Sequence, residues 1–261
     1  MRDRTVAAAT LLPVNGVLAA TLVALLLVAV ATAAVFRLAP DASWRRAREI
    51  AVAGGRATVQ LGAVSLVIGW VIRHGAALLA FVLLMFCVAA RTAGRRITPD
   101  RSWVWAALPI AAPVVPIVGA LVASGLLPPR GVALIPVTGI LIGGALTTTV
   151  LAGRRALDEL TARHGEVEAC LALGLLPHDA RLEIARPAVS DALLPGLDQT
   201  RTVGLVTLPG AFVGMLLGGA SPVQAGAVQL FVLIALMAVQ TIAVATTLEL
   251  VARGRLHRPP A

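Results

Sequence analysis

Seven separate runs of this 261-residue chain are long and apolar enough to cross a hydrocarbon layer of roughly 30 Å, and no single aqueous core could bury them all. They fall at approximately residues 14–36, 57–72, 75–90, 103–126, 131–153, 202–219 and 223–251. The second and third are short and have room to extend into Ala51–Gly55 and Thr92–Gly94. Backbone polar groups inside lipid must satisfy one another, which leaves helices or closed barrels. Runs of Ala, Leu and Val without two-residue alternation favour helices. The expectation is an all-α, polytopic membrane protein, with residues 1–261 forming one transmembrane domain of about seven helices.

Charge orients those spans. All 22 basic residues are arginine, and the net charge of +9 would suggest nucleic acid on a soluble protein. No aromatic-basic patch accompanies it, and most arginines flank apolar runs, so the charge reads as a topology signal and nucleic acid is excluded as a partner. Arg37, Arg45, Arg46 and Arg48 follow the first run and outnumber Arg2 and Arg4 before it, which places the amino terminus outside. That run is also too long for a cleaved signal peptide. Alternation then puts Arg91, Arg95, Arg96 and Arg101, residues 154–201, and Arg253, Arg255 and Arg258 in the cytoplasm. Arg73, Arg130 and the turn Ala220–Pro222 lie outside. The expected location is the inner (plasma) membrane, crossed several times and surrounded by lipid, with the carboxy terminus cytoplasmic.

Eight of the 13 acidic residues lie between Arg154 and Arg201, the one long hydrophilic stretch between apolar runs. Helix formers fill Glu166–Leu173, Gly174 is placed to end a helix in the left-handed conformation, and Pro177 with Asp179 suits the first turn of another. The second helix should bend near Pro187 before a break at Pro195-Gly196. Two short helices joined by a tight turn are expected to project into the cytoplasm, so residues 154–201 form a cytoplasmic segment.

The spacing Glu168-Ala169-Cys170, Gly174, Ile184 and Arg186-Pro187 resembles the coupling motif of ABC transporter permeases, with cysteine in place of the second alanine and arginine in place of leucine. Asp198–Gly210, then Gly219-Ala-Ser-Pro-Val-Gln-Ala225 and Gln229, resemble the carboxy-terminal signature of the FetB-type permeases, a family of bacterial iron exporters and related plant aluminium-sensitivity membrane proteins. Gly55-Arg56, Gln60-Leu61, Ile135-Pro136, Gly139 and Gly143 resemble its second and fifth spans. The resemblance implies a transporter of two permeases and two ATPases. Glu168, Ala169, Cys170, Gly174, Leu175 and Pro177 would then dock in the ATPase, and a second copy of this chain would complete the permease. Independently of the family, a Walker A loop needs a lysine and this chain has none, so any ATPase must be a separate chain.

Polar groups within the spans suggest a lining. Gln229, Gln240 and Thr247 are spaced by eleven and seven residues, which at about 100° per residue brings them to one helix face. Arg56 and Gln60 lie one turn apart on the second span, and Glu249 is placed to pair with an arginine. Arg56, Gln60, Met215, Gln229 and Gln240 are the candidate pathway residues, with interhelical hydrogen bonding as their alternative role. Gly210, Gly214 and Gly218 recur every fourth residue and form a smooth ridge for helix packing.

No cofactor is expected and no metal site can be assigned. Cys87 and Cys170 fall on different elements in or beside a reducing compartment, which argues against a disulfide. His74, His164, His178 and His257 lie outside the apolar runs without ligand spacing. No Ser-His-Asp set, HExxH or paired intramembrane carboxylate appears, so the chain is not expected to be an enzyme.

The resulting expectation is an ABC permease subunit exporting iron or another metal. The alternatives are an ion-driven carrier, which usually carries an ionisable residue deep in the bilayer, and a membrane scaffold, which needs no polar face on its last span. At the positions that bear on the metal the chain departs from the family pattern. Ala211, Phe212 and Val213 stand where relatives carry methionines, and Gly144 stands where they tend to carry asparagine. Only Met85, Met215, Met237 and Cys87 remain as soft ligands within the spans. Backbone carbonyls freed near Pro136 or Pro209 could serve instead.

Overall fold

A computed structural model describes residues 15–39, 41, 44–128 and 131–259. Arg2, Arg4 and Arg130, used above to orient the chain, lie outside the described residues. The described residues are almost wholly helical and divide into two compact units, residues 1–70 and 71–261. Among the described residues, six helices are long and apolar enough to cross a membrane.

The first unit holds α1 (Gly16–Val35) and most of α2 (Arg45–Val71). Asn15 caps α1 by accepting from Leu18 N–H at 3.0 Å. Arg37, at φ 47°, closes the helix as its N–H reaches Ala34 O and that of Leu38 reaches Ala33 O. Leu26 of α1 lies directly on Gly54 of α2, where a Cβ would crowd both leucine methyls. α2 starts before the expected residue 57 because nothing between Arg45 and Gly55 breaks a helix.

The second unit begins with α3 (Gly75–Ile97), a 3-10 turn (Arg101–Ala106) capped by Asp100, and α4 (Ala107–Ala123). α5 (Gly131–Ala162) then runs unbroken past the expected end at 153. Residues 154–162, Arg-Arg-Ala-Leu-Asp-Glu-Leu-Thr-Ala, are mostly strong helix formers, so leaving the apolar run does not end the helix. The remaining elements are α6 (His164–Ala172), α7 (Pro177–Ser190), a 3-10 turn (Asp191–Leu193), α8 (Leu194–Thr202), α9 (Gly210–Leu217) and α10 (Pro222–Ala252).

α5 and α10 are parallel. Gly144 meets Leu236 near the middle of both helices, and Leu157 and Leu160 meet Val251 across one cavity at their ends. The chain must therefore travel back along α10 between Ala162 and Pro222. It does so in pieces: His178 faces Glu249, Gly196 faces Gln240, and Val203–Phe212 lies beside Gly226–Leu233.

This return leg corrects three expectations. Residues 202–219 do not form a spanning helix. Gly204 at φ +83° and the Leu208-Pro209 pair break the run, leaving α9 only eight residues. At about 1.5 Å per residue that is roughly 12 Å, far short of a bilayer. Pro195-Gly196 is not a break either. The interruption falls earlier, at Asp191–Leu193, and Pro195 sits in the first turn of α8, where its missing N–H leaves no hydrogen bond unmade. Finally, α7 does not project freely. Ala180, Ile184, Ala185 and Val189 are buried, because α7 packs between α5 and α10.

The core of the second unit depends on small residues. Ala93, Ala145, Ala152, Ala156 and Ala243 are fully buried, which lets backbones approach closely. Gly153 receives Ile97, and Gly94 receives the backbone of Trp103 where α3 meets the 3-10 turn. The tail after α10 is strapped to the same corner. Ser102 Oγ donates to His257 O at 3.0 Å, Arg258 Nε donates to Ile97 O at 3.1 Å, and Arg258 pairs with Asp158 at 2.5 Å. The arginine-rich ends of α3, α5 and α10 thus gather at one end of the unit.

A Cβ at Gly94 would collide with the carbonyl of Trp103, which cannot rotate away, whereas one at Gly143 meets nothing within 4 Å. Gly94→Ala should destabilise the protein by about 1–3 kcal/mol, as overpacking does. Gly143→Ala should be neutral or slightly stabilising. Thermal unfolding of the purified protein in detergent distinguishes them, and equal midpoints would contradict this packing.

Candidate functional site

Two features carry possible function: the short helix α6 with its turn, and the interrupted return leg with the polar face of α10. α6 has nine residues and none is buried. Its root is stapled to α5 by Arg163, which donates to Glu159 at 3.2 Å and to both oxygens of Glu166. The hydrogen bonds from Arg163 hold the Glu166 carboxyl below its usual range, and those to Glu166 and then Glu159 keep the guanidinium charged. His164 lies 3.5 Å from Glu168 on the adjacent turn.

At its far end α6 closes as the sequence anticipates. Gly174 sits at φ +93°, its N–H donates to Leu171 O at 3.0 Å, and Leu175 N–H donates to Cys170 O at 3.1 Å. This is the paired cap that a left-handed residue permits. Leu173 at the tip is 82% exposed, and Leu176 beside it is exposed too. Glu168, Ala169, Gly174, Leu175 and Pro177 are exposed, while the Cys170 thiol is free and half-buried. Pro177 then opens α7, as expected.

α7 anchors this protrusion. His178 Nδ1 lies 2.9 Å from Asp179 and Nε2 lies 3.1 Å from Glu249, and Arg181 donates to Ala252 O at 3.2 Å. Hydrogen bonding to Asp179 and then Glu249 raises the His178 pKa above the ordinary histidine value. Glu249 also accepts from Arg253 at 2.6 Å, the arginine pairing anticipated for it. Sequence reasoning missed His178, whose partner is 71 residues away; its own spacing carries no signal.

The polar residues of α10 do share a face. Gln229 and Thr247 are buried and Gln240 is half-buried. Their surroundings differ. Thr247 Oγ1 donates to Ala243 O within its own helix at 2.7 Å. Gln240 fits between two glycine notches, Gly144 of α5 and Gly196 of α8, at the place where three helices cross. Gln229 Oε1 has no hydrogen-bond partner among the described residues. It lines a cavity of about 280 Å³ with residues of the interrupted leg.

Met215 is half-buried on α9. Gly210 and Gly214 would meet nothing within 4 Å if they carried a Cβ, and Gly218 only its own helix. Arg56 and Gln60 are exposed on α2 in the other unit. Among the described residues no group of three or more His, Cys, Asp or Glu could hold a metal ion.

Comparison with known proteins places this chain in a family. Residues 17–255 match the model described as "Uncharacterised protein family (UPF0014)". The chain is 35% identical to UPF0014 membrane protein STAR2 of Oryza sativa subsp. japonica over 74% of its own length and 69% of that protein. It is 34% identical to Protein ALUMINUM SENSITIVE 3 of Arabidopsis thaliana, over 74% and 71% respectively. It is 28% identical to the Probable iron export permease protein FetB of Escherichia coli (strain K12), over 68% and 70%. No solved structure matches. With helices able to cross a membrane and a family match over nearly its whole length, the chain is a multi-pass membrane protein belonging to the UPF0014 family.

Proposed function

We propose that this chain is the permease subunit of an ABC transporter that exports iron or another metal, driven by a separate ATPase that grips α6 and the turn after it. The observation that carries the reading is an unburied nine-residue helix closed by Gly174 at φ +93° and joined by a short turn to the rooted helix α7. A helix that only bounded a loop would need no such root. Glu168, Ala169, Cys170, Gly174, Leu175 and Pro177 form the contact, and Leu173 and Leu176 supply apolar area at its tip.

Force on α6 passes into α7 through the turn, and from α7 into α10 through His178–Glu249 and Arg181–Ala252. α10 carries Gln229 and Gln240, so the helix on which α7 is anchored also carries candidate pathway residues. Two copies of the chain form the permease, with Arg56, Gln60 and Met215 contributing to the path. The bare Gly210 and Gly214 surface suits close approach of a neighbouring helix. The metal is inferred from a relative's name as a probable iron export permease and from the iron-exporter resemblance of the carboxy-terminal half. In this reading residues 1–261 are one permease domain, residues 154–201 hold the coupling segment, and the arginine-rich end faces the cytoplasm.

Orientation is tested with single cysteines, one in the first turn of α10 and one in the tail beyond it, in a variant lacking Cys87 and Cys170. Val223→Cys should label from outside and Pro259→Cys from inside; labelling of both from one side contradicts the arrangement. For coupling, Gly174→Val should lose co-purification of the ATPase while membrane insertion persists, since a β-branched residue rarely adopts positive φ. Retained association with full transport would remove α6 from the contact. For the cargo, deleting the gene should raise intracellular iron and sensitivity to iron with peroxide. No change in either, with the ATPase confirmed as expressed, would rule out iron.

A further inference from the structure

Along α3 the residues Leu84, Val88, Arg91 and Arg95 are all exposed, standing four, three and four positions apart. At about 100° per residue they fall within roughly 60° of one another, so one stripe runs from apolar side chains to two arginines. Arg91 lies six residues before Ile97, the last residue of α3, and so about 9 Å inside the helix end. An arginine at that level beside lipid is costly unless an anion or water meets it.

The 3-10 turn Arg101–Ala106 lays an aromatic ring against the charged part of the stripe. Trp103 lies 5.9 Å from the Arg91 guanidinium and 5.1 Å from that of Arg95, and Trp105 of the same turn carries Arg255 at 5.2 Å. Stacking on a ring occupies one face of a guanidinium and leaves its N–H edge open to an acceptor. Arg95 donates once, to Pro99 O at 2.9 Å, and no described carboxylate pairs with Arg91, Arg95 or Arg255. Asp100 and Asp158 in the same corner are held by His257 and Arg258 instead. The arginines around this turn are thus left unneutralised among the described residues.

We propose that this stripe binds an anionic phospholipid of the surrounding bilayer, its phosphate on Arg91 and Arg95 beside Trp103 and an acyl chain along Val88 and Leu84. The order of the stripe matches that of a lipid, and tryptophan is enriched at the level where headgroups lie. Guanidinium forks suit phosphate oxygens in shape as well as charge. A zwitterionic headgroup would bring a cation of its own to arginines already in excess. A second copy of the chain, about a two-fold axis along the membrane normal, would set the same arginines level with each other, and like charges repel. The site does not depend on what the chain transports.

The test is native mass spectrometry of the purified full-length chain in detergent, titrated separately with dioleoyl phosphatidylglycerol and dioleoyl phosphatidylcholine, whose chains are the same. The parent should bind the first phosphatidylglycerol about tenfold more tightly, as two arginines at a lipid surface imply. Arg91→Gln with Arg95→Gln should abolish that preference while phosphatidylcholine binding stays as in the parent, which shows the fold intact. Arg48→Gln with Arg201→Gln, an equal loss of charge at exposed positions elsewhere, should keep it. Equal affinity of the parent for both lipids would overturn the site without recourse to any variant. A preference that survives the loss of Arg91 and Arg95, or that is lost equally with Arg48 and Arg201, would overturn it too, the latter by assigning the effect to net charge alone. Displacement of phosphatidylglycerol by millimolar inorganic phosphate would assign the arginines to a free anion and overturn the lipid.

Discussion

The parallel packing of α5 and α10 governs the second unit. Two long helices can lie side by side in the same direction only if the chain between them returns the full distance. Here the return is made by α7, α8 and α9 with irregular backbone between them. Each piece is fastened where it passes α10: His178 on Glu249, the Gly196 notch on Gln240, and the Val203–Phe212 segment beside Gln229. A single continuous helix would have satisfied its own backbone. The interrupted one leaves the carbonyls of Val203, Gly204, Leu205 and Val206 without a backbone partner among the described residues.

What holds the arrangement is close contact rather than greasy volume. Between helices already in an apolar solvent the hydrophobic effect supplies little, and association depends on van der Waals contact and interhelical hydrogen bonds. Buried alanines and the glycines at 94, 144, 153 and 196 let backbones and side chains meet at short range. The charged groups stay at one end, where Arg258, Asp158, His257, Asp100 and Ser102 join the tail to the ends of α3 and α5. That end also carries α6. The most exposed helix of the second unit therefore stands on its most crosslinked region, a sound footing for transmitting a push.

Much of this was legible in the chain. Six of the seven apolar runs are long helices, Gly174 does end α6, Pro177 does begin α7, and Glu249 does find an arginine. Such features are local: run length, a left-handed cap, and i to i+4 proximity are set by residues within a few positions of one another. The break in 202–219 also had local signals, in Gly204 and in Pro209, but the apolar composition of the run outweighed them.

The sequence by itself determined that this chain is a membrane-embedded helical protein, because hydrophobic run length is a property of the linear chain. It could not determine that α7 is buried between α5 and α10, or that Gln240 is locked in glycine notches while Gln229 keeps an unpartnered oxygen. On one helix face the two glutamines look alike. Their difference comes from which neighbour crosses α10 at each level, and that neighbour is supplied by residues far away in the chain.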